Sequence, residues 1–165
     1  MTLAFSIQSQ AANNWCWLAA ASSVADFFAT GPRTQCSLAQ QLLTLPPGTQ
    51  CCANAVPASC DQPGYPSTAL AQVGHSQGSY TPLAPFVDIE NEINNGNPVV
   101  LRLVYTGSGL SHVVVVVDAF ARGAHQFLIV DDPDPRGPGR TQVMYSSSVY
   151  RGASFSWGRT YYTQP

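Results

Sequence analysis

Charged side chains are scarce in this sequence, and lysine is absent. Only 10% of the 165 residues are charged, well below the share of about a quarter that soluble domains usually carry. All seven basic residues are arginines, they form no run, and the formal net charge is −2. Because phosphate backbones and anionic membrane surfaces are bound by clustered cations, we expect neither nucleic acid nor a membrane surface as a partner.

Long apolar runs are missing as well. No stretch reaches the roughly 18 apolar residues that cross a membrane, and the segment Met1–Phe5 lacks the basic start and apolar core of a signal peptide. We expect a protein that leaves the producing cell, either after removal of a signal or by a route that reads no Sec-type signal. The length fits a single domain over residues 1–165, and we expect a monomer.

The five cysteines divide into one isolated residue and one group. Cys16 stands alone between two tryptophans, whereas Cys36, Cys51, Cys52 and Cys60 share a polar segment. This partition predicts one free thiol and two disulfides, with Cys36 bonded to one of the adjacent pair and Cys60 to the other, because neighbouring cysteines rarely bond each other. A zinc site is the rival interpretation, but the segment has no C-x-x-C pair and no nearby histidine. We therefore expect no metal.

Helical patterns occupy the first half of the chain and strand patterns the second. Helices are predicted over residues 15–29, from a capping-box pattern at Ser37 and Gln40 to the stop at Pro46, over 66–73, and over 86–95. Strands are predicted over residues 99–105, 112–120, 126–132 and 141–145. Helices followed by strands indicate an α+β fold, and the short connections between the strands favour an antiparallel sheet.

Cys16 lies where a loop turns into the first helix, so its sulfur is predicted to sit at a helix N-terminus, where a thiolate is favoured. A buried structural cysteine is the alternative. Two further residues favour the nucleophile: Gln10, six positions earlier, is an oxyanion donor, and His112, at the start of an apolar strand, is a base. Together they predict a catalytic cysteine.

An acidic residue that orients His112 is expected at the end of the next strand, where Asp131 and Asp132 are neighbours. Strand alternation sends their side chains to opposite faces, so only one of them can meet the imidazole. Pro133 holds the preceding residue extended, which favours Asp132. Asp134 is interpreted as part of a solvated turn, and the other two histidines, His75 and His125, as exposed loop residues.

With these residues in place, the sequence resembles papain-like cysteine peptidases. It is nearest the short bacterial branch that includes secreted effector peptidases of plant pathogens and the peptidase domains of bacteriocin exporters. The matching residues are Gln10, Asn14-Trp15-Cys16-Trp17 with the alanines that follow, Ser111-His112-Val113-Val114 and Asp132-Pro133. The Cys51-Cys52 pair, with Cys60 and Gly64, is similar to the effector branch.

The resemblance implies a helical N-terminal half packed on an antiparallel C-terminal sheet. It also implies an endopeptidase without a cofactor that acts on a protein or peptide: Cys16 attacks, His112 transfers the proton, Asp132 orients His112, and Gln10 holds the oxyanion. A transglutaminase or deamidase uses the same constellation on side-chain amides. A catalytically silent binding module is the third hypothesis, although all four expected site residues are present.

Overall fold

The computed structural model describes residues 2–31 and 33–165 and contains four helices and seven strands in those ranges. The helices are α1 (Cys16–Phe27), α2 (Gln35–Leu42), α3 (Pro66–Val73) and α4 (Phe86–Asn94). The strands are β1 (Ser76–Tyr80), β2 (Val99–Tyr105), β3 (Ser111–Arg122), β4 (His125–Asp131), β5 (Arg140–Met144), β6 (Val149–Tyr150) and β7 (Ala153–Thr163). Helices precede most of the sheet, so the predicted α+β class is confirmed.

The strands form one sheet in the order β1-β7-β2-β3-β4-β5, with β6 paired to β7, and every pairing is antiparallel. The predicted antiparallel sheet is therefore confirmed. The valines of β3 are buried because α1 and α4 both pack against this strand. In the described ranges, no helix is both long and apolar enough to cross a membrane.

Three strands were not predicted: β1, β6 and β7. β1 is polar and β6 has two residues, so neither carries a strong local pattern. β7 lies between β1 and β2, and its pairing with β2 shifts register between Arg102 and Leu103. Its position is therefore set by partners distant in sequence, which a local pattern does not report.

The predicted start of the second helix was wrong. Thr34, not Ser37, precedes the helix, and its hydroxyl accepts a hydrogen bond from the Ser37 backbone amide at 3.2 Å. Ser37 lies in the first turn of α2, because Thr34 already provides the N-terminal cap three residues earlier.

His75 was predicted to be exposed but is 2% exposed. Its ring nitrogens lie 2.8 Å from Thr30 Oγ1 and 2.8 Å from the Gln164 carbonyl oxygen, and its ring packs against Phe28. The unpredicted pairing of β1 with β7 brings Gln164 to this position. His125 is exposed, as predicted, but it is the first residue of β4 and not a loop residue.

The four grouped cysteines form two disulfides, Cys36–Cys52 and Cys51–Cys60, in agreement with the predicted pattern. Cys51 and Cys60 have no exposed surface, whereas Cys52 is exposed. The backbone carbonyl of Cys60 accepts a 2.7 Å hydrogen bond from the indole of the buried Trp15. The inner disulfide therefore fixes the loop that holds the residue before Cys16.

A second tryptophan beside Cys16 depends on a glycine. The Trp17 indole donates to the Gln62 carbonyl at 3.2 Å and lies against Gly64, where an added Cβ would come within 2.5 Å of Trp17 Cε2. Trp17 is 3% exposed and cannot swing into solvent without losing its packing. Only glycine fits this contact without displacing the ring.

Gly64→Ala should therefore lower the free energy of unfolding by about 1–3 kcal/mol, the usual cost of overpacking a core. Gly107→Ala is the matched control, because nothing lies within 4 Å of its added Cβ. Urea denaturation of both variants measures the difference. Equal stability of the two variants would show that Trp17 moves aside freely.

Candidate active site

Cys16 is the free cysteine of the described chain, and it is the first residue of α1. The first backbone N–H groups of a helix have no partner within the helix and favour a negative charge nearby. Trp15, which precedes the helix, supplies no side-chain cap. The N-terminus of α1 therefore stays free to stabilise a charge on Cys16 Sγ or on a group bound beside it.

The loop before Cys16 is held from three directions. The Asn14 backbone amide and side chain donate to Asp61 at 2.7 and 3.0 Å. The Ala11 amide donates to the buried Gln35 side chain at 2.9 Å. The Gln10 amide donates to the Pro133 carbonyl at 2.8 Å, which joins this loop to the segment after β4. Asp61 and Gln35 were not predicted, because a polar residue in a loop or helix start carries no sign of a distant partner.

His112 is the second residue of β3, and Asp132 follows the last residue of β4. β3 and β4 are antiparallel neighbours, so the start of one strand lies beside the end of the other. His112 Nε2 lies 2.7 Å from Asp132 Oδ1, and Asp132 has a fully buried side chain. The Cys16 side chain lies close enough to His112 to raise the pKa of the imidazole. Since Nε2 faces Asp132, the other ring nitrogen, Nδ1, is the one available to Cys16.

The Asp132 carboxylate has partners for both oxygens. Besides His112, Oδ1 accepts the Asp134 backbone amide at 2.9 Å, and Oδ2 accepts the Tyr150 hydroxyl at 2.8 Å. Arg151 Nη1 lies 3.8 Å from Oδ2. Burial raises the pKa of Asp132, but the hydrogen bonds from His112, Asp134 and Tyr150 lower it by more. The net pKa is therefore below its usual value. The group is held as a carboxylate.

Tyr150 and Arg151 were missed by the sequence analysis. Both lie in or beside the two-residue strand β6, which has no local pattern that identifies it. A glycine was missed as well: an added Cβ at Gly137 would lie 2.8 Å from Asp132 Oδ2. The turn after β4 therefore approaches the carboxylate more closely than any side chain permits.

Asp131 and Asp134 do not contact His112. Asp131 forms a two-point ion pair with Arg140, whose Nε and Nη2 lie 2.7 and 2.8 Å from its oxygens. Asp134 was predicted to be solvated, but it is 8% exposed and accepts from Arg136 and Arg151. Arginines compensate both carboxylates, which explains how three aspartates are buried so close together.

The side-chain amide of Gln10 lies beside the loop and is engaged in it. Its Nε2 donates to the backbone carbonyls of Ala12 and Asn13 at 3.0 and 2.8 Å. Its Oε1 is buried and has no hydrogen-bond partner in the described chain. In this conformation both amide hydrogens are used by the loop itself.

The charge of His112 is set by its neighbours. Burial lowers the pKa of His112, whereas hydrogen bonds to Asp132 and Cys16 and the negative charges of both raise it, from 6.5 to about 9. The imidazole is therefore a cation at neutral pH. A protonated imidazole beside Cys16 can donate a proton to a group that reacts there.

Comparisons with known proteins show the family and the fold of the chain. The Peptidase_C39 like family matches residues 2–164. No curated protein matches the chain. A solved structure from a study of limited antibody cross-reactivity between the mite allergens Blo t 1 and Der p 1 is similar, with a TM-score of 0.61 and 13% identity over 97% of this chain and 67% of that one. At this identity the similarity concerns the fold, and it confirms the predicted papain-like architecture.

An NMR titration tests the charge of His112. Its imidazole should titrate with a midpoint near 9. Asp132→Asn should lower that midpoint, because burial lowers the pKa of His112 and the carboxylate that raises it is then gone. Asp131→Asn is the control and should leave it unchanged. A native midpoint near 6.5 would contradict the proposed charge state.

The same shift has a consequence for stability. Folding raises the pKa of His112 from 6.5 to about 9, so its contribution to the free energy of unfolding is complete below pH 6.5 and is lost as the pH rises through about 9. The contribution amounts to at most about 3 kcal/mol. Urea denaturation at several pH values across this range measures the free energy of unfolding, which should fall as His112 loses its proton.

Proposed function

Because the chain belongs to the Peptidase_C39 like family, we propose that it is a cysteine endopeptidase with a Cys16–His112–Asp132 triad. The observation that carries the proposal is the position of His112, which bonds Asp132 through Nε2 and lies close to the Cys16 side chain. A base held by a buried carboxylate beside a thiol is the arrangement that nucleophilic catalysis requires.

In the proposed reaction, the Cys16 thiolate attacks the carbonyl carbon of the scissile peptide bond. The imidazolium of His112 gives its proton to the leaving amine as the C–N bond breaks, which leaves an acyl-enzyme on Cys16. Neutral His112 then takes a proton from water as the water attacks the thioester. The product acid leaves and the thiolate is restored. Each step uses only these side chains and water.

The oxyanion that forms during attack needs hydrogen-bond donors. The Cys16 backbone amide, at the free N-terminus of α1, is one candidate donor. Gln10 is the second, but its amide hydrogens are bonded to Ala12 and Asn13. One of these bonds must be exchanged for the oxyanion as substrate binds. The buried, unpartnered Oε1 of Gln10 favours such a rearrangement.

Two hollows support cleavage within a chain rather than at its end, because both are lined by residues that lie next to the site residues in sequence. One is lined by Gln10, Asn13 and Pro135, and the other by Asn14, Gly64 and Ser111. Substrate residues beyond the cleaved bond would have surfaces to occupy in both. The two disulfides are typical of proteins outside the reducing cytosol and suggest an extracellular protein. We propose export on this basis, while delivery to a host and a bacterial source stay predictions.

Incubation with a mixture of unfolded proteins tests the proposal. The wild-type protein should cleave backbone bonds, and Cys16→Ala and His112→Ala should abolish cleavage while circular dichroism stays native. Iodoacetamide should modify Cys16 selectively in the native wild type, because the other four cysteines are bonded.

Mass spectrometry of the substrates separates the alternatives. Fragments support the endopeptidase, conversion of side-chain amides to acids indicates a deamidase, and crosslinked partners indicate a transglutaminase. Cleavage by Cys16→Ala at the wild-type rate would contradict the proposed mechanism. The absence of any product, combined with slow alkylation of Cys16, would favour a silent binding module.

A further inference from the structure

One of the hollows beside Cys16 contains an arginine without an acidic partner. Arg102 lies on β2 and lines the pocket that Asn14 and Ser111 also border, and these residues are close in sequence to Cys16 and His112. The pocket has a volume of about 370 Å³, enough for one amino-acid side chain. A peptide substrate bound across Cys16 and His112 would place one of its residues in this pocket.

The guanidinium of Arg102 is incompletely satisfied. Its Cζ lies 5.2 Å from the centre of the Tyr65 ring, a cation–π contact. Its Nε is buried and has no hydrogen-bond acceptor in the described ranges, where no carboxylate lies within ion-pair distance of it. Arg102 therefore differs from Arg136, Arg140 and Arg151, each of which pairs with an aspartate.

Nearby groups leave the positive charge uncompensated. Arg159 is the cross-strand partner of Arg102, and its Nε donates only to the Thr81 hydroxyl at 3.0 Å. Like charges directly opposite each other on a sheet repel. The Tyr161 hydroxyl is also buried without a partner, and it is near enough to feel both arginines. Burial raises the pKa of Tyr161 and the two arginines lower it, with a net rise, so this hydroxyl stays protonated.

The lining of the pocket combines the polar Asn14 and Ser111 with apolar surface from Tyr65 and Leu110. Tyr65 and Leu110 are 58% and 68% exposed and stand beside Gly64, which cannot carry a side chain. A residue that suits such a pocket has methylene groups for the walls and a carboxylate for the guanidinium. A carboxylate binds arginine through charge-assisted hydrogen bonds, which a neutral amide of the same shape cannot replace.

From these observations we propose that Arg102 determines specificity by binding a substrate carboxylate beside the scissile bond. This inference rests on the proposed peptidase function. An internal Glu or Asp side chain and the C-terminal carboxylate of a peptide share this chemistry, and the experiment below distinguishes them. Arg102 is a specificity residue here and takes no part in bond breaking.

Cleavage of capped peptide libraries, read by mass spectrometry, tests the proposal. The wild type should prefer Glu over Gln at one position near the cleaved bond by about 10- to 100-fold in kcat/KM, as expected for a hydrogen bond to a charged group. Arg102→Met should remove the preference, Arg102→Lys should keep part of it, and Arg102→Glu should transfer it to Lys. Free and amidated C-termini, compared in parallel, identify the source of the carboxylate.

Arg159→Met is the matched control, because it removes a neighbouring arginine that does not line the pocket. It should keep the preference for Glu, and thermal melts should confirm that each variant is folded. A wild type with no preference, or an Arg102→Met variant that keeps it, would overturn the inference.

Binding of the Glu and Gln peptides to Cys16→Ala, measured by calorimetry, separates this proposal from the proposed function. Tighter binding of the Glu peptides that disappears in Cys16→Ala/Arg102→Met supports the pocket even if the wild type cleaves nothing. Equal binding of both peptides overturns the pocket even if the wild type cleaves both.

Discussion

The hydrogen bond between His112 Nε2 and Asp132 Oδ1, 2.7 Å long, connects two groups that are almost out of reach of water. A buried carboxylate without compensation costs several kcal/mol. Here the cost is offset by the imidazolium, by the Tyr150 hydroxyl and by the Asp134 amide. The carboxylate in turn keeps the imidazole charged, although burial alone favours the neutral ring. Each group is therefore charged because the other is present.

This pair lies on the sheet, whereas Cys16 lies on a helix, and other contacts hold the two parts together. The Gln10 amide bonds the Pro133 carbonyl directly after Asp132, and the inner disulfide carries the carbonyl that binds Trp15 directly before Cys16. The disulfides are distant from the reacting atoms in sequence, yet the loop that they fix determines where the sulfur lies. Stabilisation of the fold and placement of the nucleophile thus depend on the same segment.

Local signals predicted much of this arrangement. The apolar runs of β2 and β3, the Pro-start and Gly-end of α3, and the helix start at Cys16 are visible in short windows of sequence. Strand alternation predicts that only one of Asp131 and Asp132 meets His112, Pro133 favours Asp132, and the hydrogen bonds agree with that choice. These features depend on neighbours only a few residues away.

The missed features depend on partners far along the chain. β7 lies between β1 and β2, and the residue after it, Gln164, bonds the buried His75 through its backbone carbonyl. Tyr150 reaches Asp132 from a strand of two residues, and Arg102 has an ordinary place in an apolar strand until the pocket beside it is known. Burial of a polar group, and the lack of a partner for it, are properties of the folded chain only.

We infer that the Asp132 carboxylate sets the charge and orientation of His112 for reaction with Cys16. The rate of Cys16 alkylation by iodoacetamide at pH 6, which needs no knowledge of the substrate, tests it directly in Asp132→Asn and Asp131→Asn. Loss of the charged and oriented imidazole should slow the alkylation of Cys16 in Asp132→Asn by at least about tenfold. Asp131→Asn should react like the wild type. Equal rates in both variants, or a greater loss in Asp131→Asn, would contradict the account.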